Sequence, residues 1–106
     1  MLTAERFLLD LIGIPSASAL SNRSVIEYAR DAFCKAGWNC KVDCYNDALG
    51  VEKINLIAAP PAQDPADPSV DLAFLCHTDT VPPALGWSGA HVPHVDDGVV
   101  LSLIHI

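Results

Sequence analysis

Apolar residues first recur at helical spacing: Phe7, Leu8, Leu11 and Ile12 follow Thr3, which can cap a helix running to about Ile12, with Glu5 well placed in its first turn. Gly13-Ile14-Pro15 ends that run. A second helix is predicted from Ser24-Val25-Ile26-Glu27, which has the S-x-x-E form of a capping box. Val25, Ile26, Ala29, Ala32, Phe33 and Ala36 then carry one apolar face as far as Gly37, which terminates it.

The period then drops to two. Trp38, Cys40, Val42 and Cys44 alternate with Asn39, Lys41, Asp43 and Tyr45, the signature of a half-buried strand. A turn-rich stretch from Asn46 to Gly50 leads into a second strand over Ile54 to Ala59. So short a connection favours an antiparallel pair, because a parallel return needs a crossover of a dozen or more residues. Pro60 to Ser69 reads as a surface loop. Val70 to Cys76 is apolar on both faces apart from Asp71, which predicts a third, central strand covered on both sides. Ala84 to Pro93 is loop-like, and Asp96-Asp97-Gly98 marks a turn before an apolar run from Val99 to Ile104. Helices followed by such a strand predict an α/β sandwich, in which ligands gather outside the carboxyl ends of the strands.

Composition narrows the function. With 51% apolar and 18% charged residues in 106, the chain is globular and fits one small domain. A formal charge of −7 and only six Lys and Arg, scattered along the chain, argue against nucleic acid as a partner. Glu5, Arg6 and Asp10 interrupt the first apolar run, so no signal peptide is expected, and no stretch approaches membrane-spanning length. Cys34, Cys40, Cys44 and Cys76 form no C-x-x-C pair and are expected to be reduced, small buried hydrophobes in a cytoplasmic protein.

Candidate chemistry concentrates where the third apolar run ends, in His77-Thr78-Asp79-Thr80-Val81-Pro82-Pro83. An imidazole at a strand terminus can offer one nitrogen to a divalent metal while the other donates to a carboxylate or carbonyl. On extended backbone His77 and Asp79 lie on the same side, so Asp79 is placed to orient His77 or to face the same solvent pocket. Pro82 and Pro83 stiffen the turn behind them. His91 and His94 are expected to be exposed loop histidines, since Pro93 prevents a helix from aligning them on one ion. Trp87 is expected to anchor its loop, and Asn55 to satisfy a neighbouring backbone group. Ser16, Ser18 and Ser21 belong to the helix connection and cap, with no nucleophile elbow around them.

Three stretches together resemble the amino-terminal part of the M20 family of metallohydrolases. They are Leu11-Ile12-Gly13-Ile14-Pro15-Ser16, Lys53-Ile54-Asn55-Leu56-Ile57-Ala58, and Leu75 to Pro82 with its H-x-D-x-V-P. The resemblance implies a three-layer α/β/α catalytic domain with a mixed sheet, of which residues 1–100 are the amino-terminal portion. It implies that His77 ligates zinc and that Asp79 serves catalysis by steering His77. It further implies two zinc ions in the intact parent, for which cobalt can substitute, and a small-molecule N-acyl amino acid as substrate. Hydrolysis of N-acetylornithine in arginine biosynthesis is the first expectation, with N-succinyl-diaminopimelate or a peptide as alternatives. A homodimeric parent is compatible with it; a membrane or nucleic-acid partner is not implied. The contrasting reading is a non-catalytic α/β binding module in which His77 and Asp79 are incidental.

The family also places a bridging aspartate, a Glu-Glu pair and a last histidine further along, and none of these is in the sequence. Asp96 and Asp97 precede the Val99 run instead of following it, so the bridging role is not carried onto them. Leu101-Ser102-Leu103-Ile104-His105-Ile106 is the translation of a transposon end used as a sequencing adapter. The last six residues are therefore expected to be foreign, His105 to be no ligand, and the chain to be a fragment.

Overall fold

The computed structural model describes residues 2–102. They form a small α/β unit of two helices, one two-stranded antiparallel sheet and a separate short hairpin. Helix α1 spans Ala4–Ile12 and starts where its cap predicts: the Thr3 Oγ1 accepts from the Arg6 N–H at 3.1 Å. An Arg6–Asp10 ion pair one turn apart supports its outer face.

Helix α2, Arg23–Lys35, ends in a Schellman motif. Gly37 takes φ +84°, its N–H donates to the Cys34 carbonyl at 3.0 Å, and the Trp38 N–H donates to the Phe33 carbonyl at 3.0 Å. The Phe33 and Trp38 rings meet at 5.4 Å across that turn, supplying the apolar contact that accompanies the motif. The start of α2 differs from the capping box expected at Ser24. The helix begins two residues earlier, with Asn22 at the N-cap, and the Asn22 side chain makes no cap bond. Its amide is used elsewhere: it donates to the Ile54 carbonyl and accepts from the Ile54 N–H, both at 2.8 Å.

Strands β1 (Asn39–Asn46) and β2 (Glu52–Ala59) pair antiparallel from Asn39 opposite Ala59 to Asn46 opposite Glu52. The turn between them is held by Asp47, whose Oδ1 accepts from the N–H groups of Leu49 and Val51, both at 2.9 Å. The register sets Cys44 against Ile54, Val42 against Leu56 and Cys40 against Ala58, so the alternating apolar residues of both strands share one face. Helix α2 lies against that face, mostly over β2. The core is Val25, Ile26 and Ile54, with Leu11, Ile14 and Leu56 packed around it. Because α2 covers β2 more than β1, Val42 and Cys44 stay exposed.

Helix α1 joins through Phe7, stacked on Tyr28 of α2 at 5.6 Å, and through the Tyr28 hydroxyl, which donates to Asp10 at 2.6 Å. A second hairpin closes the described chain: β3 (His94–Asp96) pairs with β4 (Val99–Leu101). Its two turn residues, Asp97 and Gly98, both have positive φ, as a type I′ turn requires, and they fall where the sequence places the turn.

Several expectations are corrected. Val70 to Cys76 forms no strand: Leu72, Phe74 and Leu75 are 73%, 88% and 97% exposed. An apolar run becomes a central strand only if a ladder and two covering layers receive it, and among the described residues none does. The cysteines are free as expected, but Cys34, Cys44 and Cys76 are exposed instead of buried. His94 lies in β3 instead of in a loop. Of the expected foreign tail, Leu101 pairs with His94 and the Ser102 carbonyl accepts from the Trp87 indole at 3.2 Å; residues 103–106 lie outside the described residues. Among the described residues no helix is long and apolar enough to cross a membrane.

Candidate functional site

The segment after α1 runs alongside His77 to Thr80 and fixes that otherwise irregular stretch. Ala17 and Thr80 form a parallel bridge, in which the Ser18 N–H donates to the Thr80 carbonyl at 2.9 Å and the Thr80 N–H donates to the Ser16 carbonyl at 3.0 Å. The buried Ser16 adds a side-chain bond, its hydroxyl donating to the Thr78 carbonyl at 2.8 Å. From below, Lys53 of β2 donates to the carbonyls of Ser18 and Leu20 at 2.7 and 2.6 Å. The same strand holds Asn22 through Ile54, so β2 positions both ends of the Ser18 to Asn22 connection.

His77 and Asp79 project from this stretch with 84% and 52% of their side chains exposed. The His77 Nδ1 lies 2.9 Å from the Asp79 main-chain carbonyl and 3.1 Å from the Asp79 Oδ1. Both neighbours are acceptors, so Nδ1 carries the proton and, in the neutral ring, Nε2 carries the lone pair. Asp79 has its own support: the Ser18 hydroxyl lies 2.8 Å from Oδ2. That bond is the main reason the carboxyl titrates below its ordinary 3.8; partial desolvation opposes it, and the neighbouring imidazole assists.

Beside the pair lies a cavity of about 180 Å³ lined by Leu8, Leu11, Ile14, Thr78, Thr80 and the two rings His77 and His91. The His91 Nδ1 faces the Ile12 carbonyl at 3.3 Å, which ties its loop to the end of α1. The structure therefore brings His77 and Asp79 together, and His91 lines the same cavity as His77. His94 is exposed and Asn55 stands on the opposite face of β2 from Ile54.

Local pattern places Ser18 only in the connection between the helices; it contacts a residue 61 positions away, a bond that no local pattern announces. The donor set does not by itself fit a closed zinc site. Such a site takes four ligands, or three with an open position, and among the described residues no group of three or more His, Cys, Asp or Glu could hold a metal.

The fold and this pair define a small α/β unit that presents one oriented imidazole. No protein-family model matches the chain, and no solved structure matches it. Over 83 residues, 78% of the chain, it is 30% identical to an acetylornithine deacetylase from Myxococcus xanthus. The chain spans 21% of the length of that relative.

Proposed function

We propose that the chain is the amino-terminal part of an M20 metallohydrolase, and that the parent deacetylates N-acetylornithine as part of arginine biosynthesis in the cytoplasm. The observation that carries this reading is the similarity over 83 residues to the Myxococcus xanthus deacetylase. The geometry around His77 supports it, because a metal-ligating histidine characteristically gives its second ring nitrogen to a carboxylate or carbonyl, and the His77 Nδ1 has both within 3.1 Å. Residues 1–100 form the amino-terminal portion of a three-layer α/β/α domain with a mixed sheet. The last six residues are foreign to it.

In this reading His77 is a zinc ligand through Nε2, and Asp79 fixes its tautomer and direction. Two zinc ions, replaceable by cobalt, require further ligands from segments of the parent outside this chain. The substrate is a small N-acyl amino acid.

The test uses the full-length protein encoded by the natural reading frame. Relative kcat/KM on N-acetylornithine, N-succinyl-diaminopimelate and dipeptides identifies the substrate. Zinc analysis of His77→Ala beside the unsubstituted protein identifies the ligand. Joint loss of zinc and rate is expected; unchanged zinc content and rate would remove the metal assignment.

A further inference from the structure

We infer that Ser18 is a positioning residue for the His77–Asp79 pair, holding the Asp79 carboxylate so that its other oxygen meets the imidazole; the inference rests on the reading of His77 as the functional group of the site. The Asp79 main-chain carbonyl, 2.9 Å from Nδ1, already decides where the ring proton sits. The carboxylate adds a second and charged acceptor at 3.1 Å, and a charged acceptor makes the stronger bond. An aspartate more than half exposed has no packing to hold its χ1, so the second acceptor needs an anchor.

Ser18 is that anchor. Its hydroxyl has one proton and two acceptors in reach, the Asp79 Oδ2 at 2.8 Å and the Thr80 carbonyl at 3.1 Å. The shorter contact, to an ionised group, takes the proton. With Oδ2 tethered, Oδ1 is left for His77. The hydroxyl is presented by main-chain bonds that do not depend on the serine side chain: Ser18 N–H to Thr80, and Lys53 to the Ser18 carbonyl. Removing the hydroxyl therefore leaves the segment in place and frees the carboxylate.

Nuclear magnetic resonance of the 106-residue chain tests this without any metal. In the unsubstituted chain Asp79 populates one χ1 rotamer and the His77 Nδ1–H resonance lies downfield. In Ser18→Ala the Asp79 couplings average and that resonance moves upfield, as it does in Asp79→Asn. Ser18→Thr, whose extra methyl points from an exposed position, restores both readings. Unchanged couplings and an unchanged Nδ1–H resonance in Ser18→Ala overturn the inference, provided that β1 and β2 amide shifts show the sheet intact. Should Ser18→Ala lose its fold, an averaged Asp79 χ1 in the unsubstituted chain overturns it equally. In the full-length protein Ser18→Ala is expected to keep its zinc and its KM while kcat falls by roughly 10-fold, in the range of orienting partners. The two readings fail separately: absent zinc and hydrolysis in the unsubstituted full-length protein defeats the proposed function, whereas a silent Ser18→Ala spectrum defeats only the role of Ser18.

Discussion

Asn22→Ala probes the joint that sets the site's position. The Asn22 amide acts toward β2 as a neighbouring strand would, giving one donor and one acceptor to the Ile54 carbonyl and N–H at 2.8 Å each. Ile54 is 2% exposed and belongs to the core, so water does not readily replace the lost partner. Each buried group left unsatisfied costs about 1–3 kcal/mol, which puts the substitution at about 2–4 kcal/mol when some relaxation is allowed. No capping energy is added, because this N-cap side chain makes no cap bond. For a domain of this size that corresponds to a drop of roughly 10–25 °C in Tm. Urea denaturation followed by far-ultraviolet circular dichroism measures it. Asn22→Asp is a control: it keeps the acceptor for the Ile54 N–H but turns a charge toward the carbonyl, so its cost should shrink as acid protonates it. A change within about 0.5 kcal/mol for Asn22→Ala, the scatter of an ordinary surface substitution, would refute the reasoning.

Ile54→Ala removes a core side chain and should cost about 2–5 kcal/mol in the same denaturation assay. Stability should also fall in acid with a definite sign. Asp79, Asp10 and Glu52 titrate below their ordinary values because Ser18, Tyr28 and Arg23 respectively donate to them. Their contributions are therefore full above the ordinary values of 3.8 and 4.5 and are lost as pH falls through the lower folded values; a titration of unfolding between neutrality and strong acid that instead showed stability rising would contradict this. Phe74→Ser with Leu75→Ser should reduce self-association in light scattering at little cost to stability, since both side chains are nearly fully exposed. In the full-length protein Asp79→Asn should retain most of its zinc while losing roughly 10- to 100-fold in kcat, and zinc loss equal to that of His77→Ala would make Asp79 a direct ligand.

What was legible in the sequence follows the range of the interactions. Thr3, Gly37 and the Asp97-Gly98 pair act within a few residues, so α1, the end of α2 and the second hairpin turn could be placed from local pattern. The β1–β2 pairing followed from alternation and a short turn. His77 and Asp79 are two residues apart, so their pairing could be anticipated from the H-x-D spacing alone. The start of α2 is not set by local pattern alone, because Asn22 answers to Ile54, 32 residues on. The role of Ser18 leaves no local pattern because its partner is 61 residues away. The run from Val70 to Cys76 has the composition of a central strand, but a strand is a relation between segments, and its apolar pattern could not reveal that no described neighbour receives it.

The central proposal is that His77 is a zinc ligand of an N-acetylornithine deacetylase whose amino-terminal part is this chain. Zinc content and N-acetylornithine hydrolysis, measured side by side in the full-length protein and its His77→Ala variant, test it most directly. The account predicts two zinc ions and acetate release in the unsubstituted protein, and a joint loss of metal and rate in the variant. A full-length protein that takes up no zinc and releases no acetate, or a variant that keeps both, would contradict it.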